Sequence, residues 1–319
     1  MSKVRNSSLN ILKAICCILI VFNHCKFPSV FGKLLENYAR IGVPIFFLIS
    51  GYYLNGNSKE KIKSKIWKNM KLLFFSCIIY LLLNCIRYFV DKEATIGYFR
   101  CFINVKNILD FIFFNVNPFW GHLWFIHALI YLYVIEFILL KYNLNNKKVG
   151  LSLSVILLIT YQIINGLFVD DFLNNIQYIR NYIFVGIPFF TIGKYISSKP
   201  FNKKINIVLS IVSFFGLTIE ILLYRNELYV FSILLAILLF KFTLDYKDYK
   251  NKTLEYIGDK LSMYIYILHP AVKWIYIYLF IGLNIHFGVY LWIEPVLMFL
   301  TVVLLSNYVY RVKNNNDKK

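Results

Sequence analysis

Eight ionisable side chains fall inside stretches of this sequence that are otherwise apolar: Lys13, His24, His127, Glu136, Glu220, His269, Lys273 and Glu294, with His122 at the edge of another. Such a group costs about 2.5–3.5 kcal/mol at the centre of a bilayer on insertion scales, so each is a functional candidate by default. Lys13 and His24 are the most informative pair. They are eleven residues apart, which on a helix is three turns plus about 20°, so they share a face about 16 Å apart along the axis. Imidazole exchanges protons near neutral pH and suits a general base, while a lysine on the same stripe suits negative charge. Two readings stand. The stripe lines a cavity, or Lys13 snorkels to the inner surface and His24 sits among the outer headgroups.

A second stripe comes from Ser262, Tyr266, His269 and Lys273, whose i, i+4, i+7, i+11 spacing puts them on one helix face. Pro270 removes a backbone hydrogen bond beside His269 and predicts a kink. A polar stripe is expensive against lipid, so it faces protein or water, either as packing glue between helices or as part of a site. His122-Leu-Trp124-Phe-Ile-His127 opens a further apolar run, and Trp124 suits an interfacial belt. Glu136, Glu220 and Glu294 each lie near the end of a span, within reach of water. Lys59, Lys61, Lys63, Lys65, Lys68 and Lys71 crowd one short segment. It serves either anionic lipid headgroups or the phosphates of a cytosolic donor, with Lys68 and Lys71 one turn apart.

The elements that must position these residues are legible in the composition. The 319 residues are 59% hydrophobic and 16% charged, against about 45–50% and 25% in soluble domains. The excess lies in blocks long enough to cross a bilayer, which takes about 20 apolar residues per helix. The expected spans are 8–25, 41–55, 72–90, 121–140, 149–168, 181–197, 205–224, 229–244, 261–281 and 289–310. Gly42, Pro44, Ser50 and Gly51 interrupt the second, which is expected to be broken or tilted. Residues 91–120 form the longest non-spanning stretch, and aromatic patches such as Phe111–Phe114 suit the interface. The expectation is an all-α polytopic membrane protein of about ten transmembrane helices. It forms one membrane domain over 1–319 with a short cytoplasmic tail at 311–319 and no soluble domain.

The net charge of +19 would point to nucleic acid in a soluble protein; here it reads as topology, with no nucleic-acid partner. With the N-terminus inside, the cytoplasmic segments hold 24 Lys+Arg and the outer ones 9. That asymmetry places both termini in the cytoplasm. The six cysteines show no C-x-x-C pair, which gives neither a disulfide framework nor a metal site. The first apolar run lacks a small-residue cleavage site and is expected to be a retained helix. The Asn, Lys, Ile, Phe and Tyr content suits an AT-rich bacterial genome, and so a bacterial cytoplasmic membrane.

Taken in order, these segments resemble the acyltransferase 3 family of membrane O-acyltransferases. Leu9-Asn-Ile-Leu-Lys13 through His24 resembles its first helix, where an Arg and a His stand ten residues apart. Ile45-Phe46-Phe47-Leu-Ile-Ser50-Gly51 is similar to its F-F-x-x-S-G stretch, and Lys68-Asn-Met-Lys71 stands in the place of an R-x-x-R pair. His122-Leu-Trp124-Phe125, Phe189-Phe190-Thr-Ile-Gly193 and Ser262, Tyr266, His269 match later landmarks. Lysine replaces the family's arginine at 13, 68 and 71, keeping the charge without the bidentate fork.

The resemblance implies transfer of an acyl group, usually acetyl, from cytoplasmic acyl-CoA to a hydroxyl of a cell-surface polysaccharide or lipid-linked glycan, with no metal. His24 would be the general base or a transient acyl carrier, and Lys13 would hold negative charge. Lys68 and Lys71 would bind the CoA phosphates, while Ser50, His122, Trp124, Ser262, Tyr266 and His269 would line the cavity. The apolar blocks and buried charges fit a transporter or exporter of glycan or small solute equally well, and the lysine replacements leave room for an inactive relative. The acceptor's identity and the oligomeric state are not encoded in any motif found.

Overall fold

A computed structural model describes residues 6–91, 104–167, 178–196, 201–246, 249–282, 288 and 290–316, and among them every regular element is helical. In chain order these are α1 (Ser7–His24), α2 (Ser29–Ala39), α3 (Gly42–Leu54), α4 (Lys59–Asp91), α5 (Val105–Phe114), α6 (Trp124–Lys141), α7 (Lys147–Leu167), α8 (Ile187–Tyr195), α9 (Lys203–Leu223), α10 (Val230–Asp245), α11 (Lys252–Tyr256), α12 (Ser262–Gly282) and α13 (Tyr290–Asn316). A 3-10 turn, Gly121–Leu123, leads into α6, and π turns at Tyr182–Gly186 and Ile257–Leu261 lead into α8 and α12. A helix covers each expected span, and six of the helices are long and apolar enough to cross a membrane. Outward faces are apolar where lipid would lie, as at Phe74, Ile78 and Leu82 on α4 and Val208, Val212 and Phe215 on α9.

Three sequence expectations are corrected. Residues 59–71 are not a loop before the third span: α4 runs unbroken for 33 residues, about 50 Å. The reason lies in its sequence, which has no Gly or Pro between Ser58 and Asp91, while Ser58 Oγ accepts from the Lys61 amide at 3.4 Å to start it. Residues 26–40 are not simply a loop either, since they contain α2, with Phe31, Leu34, Leu35 and Tyr38 at helical spacing. The third concerns α3, which is continuous. Pro44 sits in its first turn, where no intrahelical amide is needed. Gly51 is there for contact, because a Cβ would overlap the Phe190 carbonyl of α8. Of the 91–120 stretch, residues 92–103 lie outside the described residues. α5 buries Asp110, which accepts from the Tyr178 hydroxyl at 3.3 Å, and exposes Ile108, Leu109, Ile112 and Phe113.

The chain divides into two compact units, Ser50–Tyr195 and Lys3–Ile49 with Ile196–Lys319. In the first, α4 packs on α6, and Ile62, Leu73, Ser76, Tyr80 and Asn84 make up its buried face. The π turn before α8 packs on α6 at Gly186, beside Leu132. In the second, α1 packs against the π turn at Ile257–Leu261, α12 and α13 around Ala14, Cys17, Val21, Leu261, Ile265 and Met298. Backbone meets backbone at Gly258, where a Cβ would overlap the Asn10 carbonyl oxygen. α2 lies beside α1 and carries an ion ladder: Glu36 binds Lys26 at 3.0 Å and Arg40 at 3.1 Å, and Arg40 continues to Glu227 at 2.8 Å. Burial alone would raise the Glu36 carboxyl, but the hydrogen bonds from Lys26 and Arg40 hold it below the usual carboxylate range.

Candidate functional site

In the unit that contains α1, His24 is the last residue of that helix, and its ring lies 4.7 Å from the ring of His269. His269 is fully buried in α12, with Nδ1 3.0 Å from the Ile265 carbonyl. A carbonyl only accepts, so Nδ1 carries the proton and a neutral His269 keeps its lone pair on Nε2. One turn further, Lys273 Nζ donates to the backbone carbonyl of His24. It thereby satisfies a helix-end carbonyl and places a positive charge where the helix dipole is negative. The Tyr266 ring is 6.2 Å from His269, and Cys17 Sγ lies 3.9 Å from the Ser262 carbonyl. Lys13 is partly buried on α1, one turn before Cys17. The two predicted stripes therefore meet at His24, which faces His269 and Lys273 of α12 and is itself partly exposed.

The remaining predicted residues belong to the Ser50–Tyr195 unit. Ser50 is half-buried in α3. His122 is buried against Tyr80, ring to ring at 4.9 Å, and Tyr80 in turn meets Trp120 at 4.9 Å. Trp124, expected in an interfacial belt, is 8% exposed and lies under the Arg180 guanidinium at 5.7 Å; cation–π contact covers it instead. Lys68 and Lys71 are exposed on α4, where Lys71 lies over Trp67. Of their neighbours, the exposed Lys63 lies over Phe137 and the half-buried Lys65 over Tyr133.

Two acidic residues expected to reach water are buried. Glu136 forms a two-oxygen ion pair with Lys194, at 2.6 and 2.8 Å, and Asn145 accepts from the same ammonium at 2.5 Å. Lys194 is counted in the inner set of 24 although it falls within the expected span 181–197, and it belongs to the last turn of α8. Glu220 accepts from the Tyr224 hydroxyl at 2.7 Å and from the Val230 and Phe231 amides at 3.2 and 2.9 Å, capping the start of α10 from α9. Sequence reasoning missed the Glu136–Lys194 pair because it joins positions 58 apart, and the Glu220 contacts because they depend on how α10 turns back on α9. The one available signal was that buried charge must find a partner. Among the described residues no cluster of His, Cys, Asp or Glu is placed to hold a metal ion.

A protein-family model described as "Acyltransferase domain" matches residues 6–311. An amino-acid racemase of Enterococcus faecalis is 25% identical over 304 residues, which are 85% of this chain and 41% of the relative. A serine/alanine racemase of Enterococcus gallinarum is 22% identical over 298 residues, 84% of this chain and 41% of the relative. The chain thus spans about two fifths of the length of these curated relatives. No solved structure matches it at a significant level.

Proposed function

The chain belongs to the acyltransferase 3 family, and from that premise we propose that it is a membrane O-acyltransferase that moves an acyl group, acetyl as first candidate, from cytoplasmic acyl-CoA to a hydroxyl of a cell-surface polysaccharide or lipid-linked glycan. In this reading about ten helices cross a bacterial cytoplasmic membrane, both termini are inside, and residues 1–319 act as one membrane acyltransferase domain. The observation that carries it is the meeting of His24 with His269 at the end of α1, with Lys273 holding the terminal carbonyl. His269 is fully buried and would be costly to charge. His24, partly exposed, is the better base.

His24 takes the acceptor's hydroxyl proton as its oxygen attacks the thioester carbonyl, and that proton leaves with the CoA thiol. Lys13 lies about 16 Å further down the same helix. That separation suits it to the donor's negative charge as the donor enters from the inner side, and Lys68 and Lys71 bind CoA phosphates at the surface. Ser262, Tyr266 and His269 line the cavity beside α1; Ser50, His122 and Trp124 are assigned lining roles in the other unit.

The test is mass spectrometry of surface glycans and lipid-linked intermediates from cells lacking the gene, complemented with wild type or His24→Ala. The expected result is an acyl increment restored by wild type alone. Full acylation with His24→Ala would remove the proposed base. A second reading, transport of a small solute, takes an amino acid as its first candidate because most of this chain matches proteins named amino-acid racemases. Uptake of labelled serine or alanine by proteoliposomes, with no acyl increment in cells, would select it.

A further inference from the structure

Acyl transfer at the end of α1 has to form an oxyanion where the backbone is least suited to hold one. His24 is the last residue of α1, and the C-terminal end of a helix presents unsatisfied carbonyls and the negative end of the dipole. An oxygen that gains negative charge beside His24 is therefore repelled unless a positively charged donor faces it. Lys13 is about 16 Å down the same helix, out of reach of that oxygen. Lys26 pairs with Glu36 at 3.0 Å, and Arg40 is held between Glu36 at 3.1 Å and Glu227 at 2.8 Å. Lys33 is exposed on α2. The remaining cation at this end of the unit is Lys273.

Lys273 Nζ donates to the backbone carbonyl of His24, and a residue's own carbonyl oxygen and imidazole are at most about 7 Å apart. Lys273 and His269 are four residues apart on α12, so they are neighbours on one face. The His269 ring in turn meets the His24 ring at 4.7 Å. Base, second ring and ammonium thus gather around one point. His269 does not supply the missing donor: its Nδ1 proton is engaged by the Ile265 carbonyl at 3.0 Å, and Nε2 of the neutral ring accepts. An ammonium has three N–H groups, and among the described residues the His24 carbonyl is the acceptor that Lys273 bonds. Two N–H groups are left for a substrate. Lys273 is half-buried, a setting in which a fixed charge acts more strongly than in water.

We infer that Lys273 is a further catalytic residue of the acyl transfer, the one that donates to the thioester's carbonyl oxygen as the carbonyl π electrons move onto it. The acceptor's hydroxyl oxygen forms the new C–O bond, and its proton passes to His24. When the oxyanion collapses, the C–S bond breaks and the sulfur leaves with the proton that His24 held. Lys273 stays an ammonium throughout. The inference rests on the acyltransferase reading; it gives oxyanion stabilisation to Lys273 and leaves Lys13 to binding of the donor.

The test uses the purified full chain in nanodiscs, with acetyl-CoA or its dithioester analogue as donor and a glycan extract from cells lacking the gene as acceptor. Release of the CoA thiol is the readout. Sulfur accepts hydrogen bonds weakly, so the preference for the oxygen donor over the sulfur donor reports a group aimed at that one atom. It does not change when a variant merely lowers the amount of folded protein. Lys273→Met is expected to lower kcat with acetyl-CoA about 100-fold and the preference about tenfold, the scale of losing one oxyanion donor, with KM for acetyl-CoA little changed. Lys273→Gln can still donate to the His24 carbonyl but carries no charge. It is expected to lose the preference as well, which separates the charge from the anchoring of α1. Lys13→Met is expected to raise KM for acetyl-CoA and to keep the preference. An unchanged preference in both Lys273 variants, whatever their rates, would overturn the inference and leave Lys273 as a brace for α1. A preference lost in Lys13→Met alone would also overturn it and move the role to Lys13. No thiol release by wild type with either donor would overturn the acyltransferase reading, and the inference with it.

Discussion

Single residues divide into those whose role was visible from spacing and those that needed a partner to be seen. The stripe on α1 and the stripe on α12 are local patterns, set by 100° per residue, and the fold brings them together at His24. Glu136 and Lys194 are 58 positions apart, so no local pattern joins them. Each is about 8% exposed, and in that setting removal of one partner leaves a buried charge uncompensated. Glu136→Leu or Lys194→Met is expected to destabilise the protein by about 3–5 kcal/mol. The double replacement Glu136→Leu with Lys194→Met should recover most of that loss, because two desolvated charges are then absent together. Thermal unfolding of the four forms in detergent, read as a double-mutant cycle, checks both expectations. Equal loss in the double variant would mean that the pair stabilises through shape rather than charge.

Elements were legible where hydrophobic blocks were long, and illegible where a helix was short or ran on past the block. α2 escaped because eleven residues with two polar flanks do not resemble a span, although Phe31, Leu34, Leu35 and Tyr38 hold helical spacing. α4 was cut short because lysines read as loop, whereas lysine is a good helix former and nothing in 59–91 breaks the ladder. Close contact between elements is harder still to read, since a glycine within a helix does not say what lies opposite. Gly258 is opposite the backbone of Asn10 and Ala14, so Gly258→Ala must push α1 away from the turn before α12. The expected cost is about 1–3 kcal/mol, together with a fall in acyl transfer, because Lys13 and His24 both ride on α1. Gly166→Ala is the control: nothing lies within 4 Å of a Cβ there, and the change should be neutral or slightly stabilising. Unfolding midpoints of the two variants decide the matter. Equal midpoints would mean that α1 can shift without cost.

At the scale of the whole molecule, orientation is a property of charge rather than of packing. The split of 24 Lys+Arg against 9 includes Lys194, which is buried in an ion pair and reports nothing about aqueous sides. Removing it from the inner set leaves the asymmetry large. Among the described residues six helices satisfy the length and hydropathy of a span. The other expected spans include α3 of 13 residues and α10 of 16, and each of these could be lost from the count. An error of one crossing would move one terminus to the opposite side, and that makes the count testable through exposed positions. Lys33 on α2 and Lys313 near the end of α13 are both exposed. Lys33→Cys is expected to react with a membrane-impermeant maleimide in intact cells, and Lys313→Cys only after permeabilisation. The native cysteines set the background. Cys16, Cys17 and Cys25 are buried, Cys77 and Cys85 are partly exposed, and Cys101 lies outside the described residues, so each variant is compared with the parent. Reaction of both positions in intact cells would require an even number of crossings after α2. One of the short helices would then have to lie within the protein without spanning. Reaction of Lys33→Cys alone fixes α2 on the outer face and the end of α13 on the inner one, which requires the odd number of crossings between them that the nine expected spans supply.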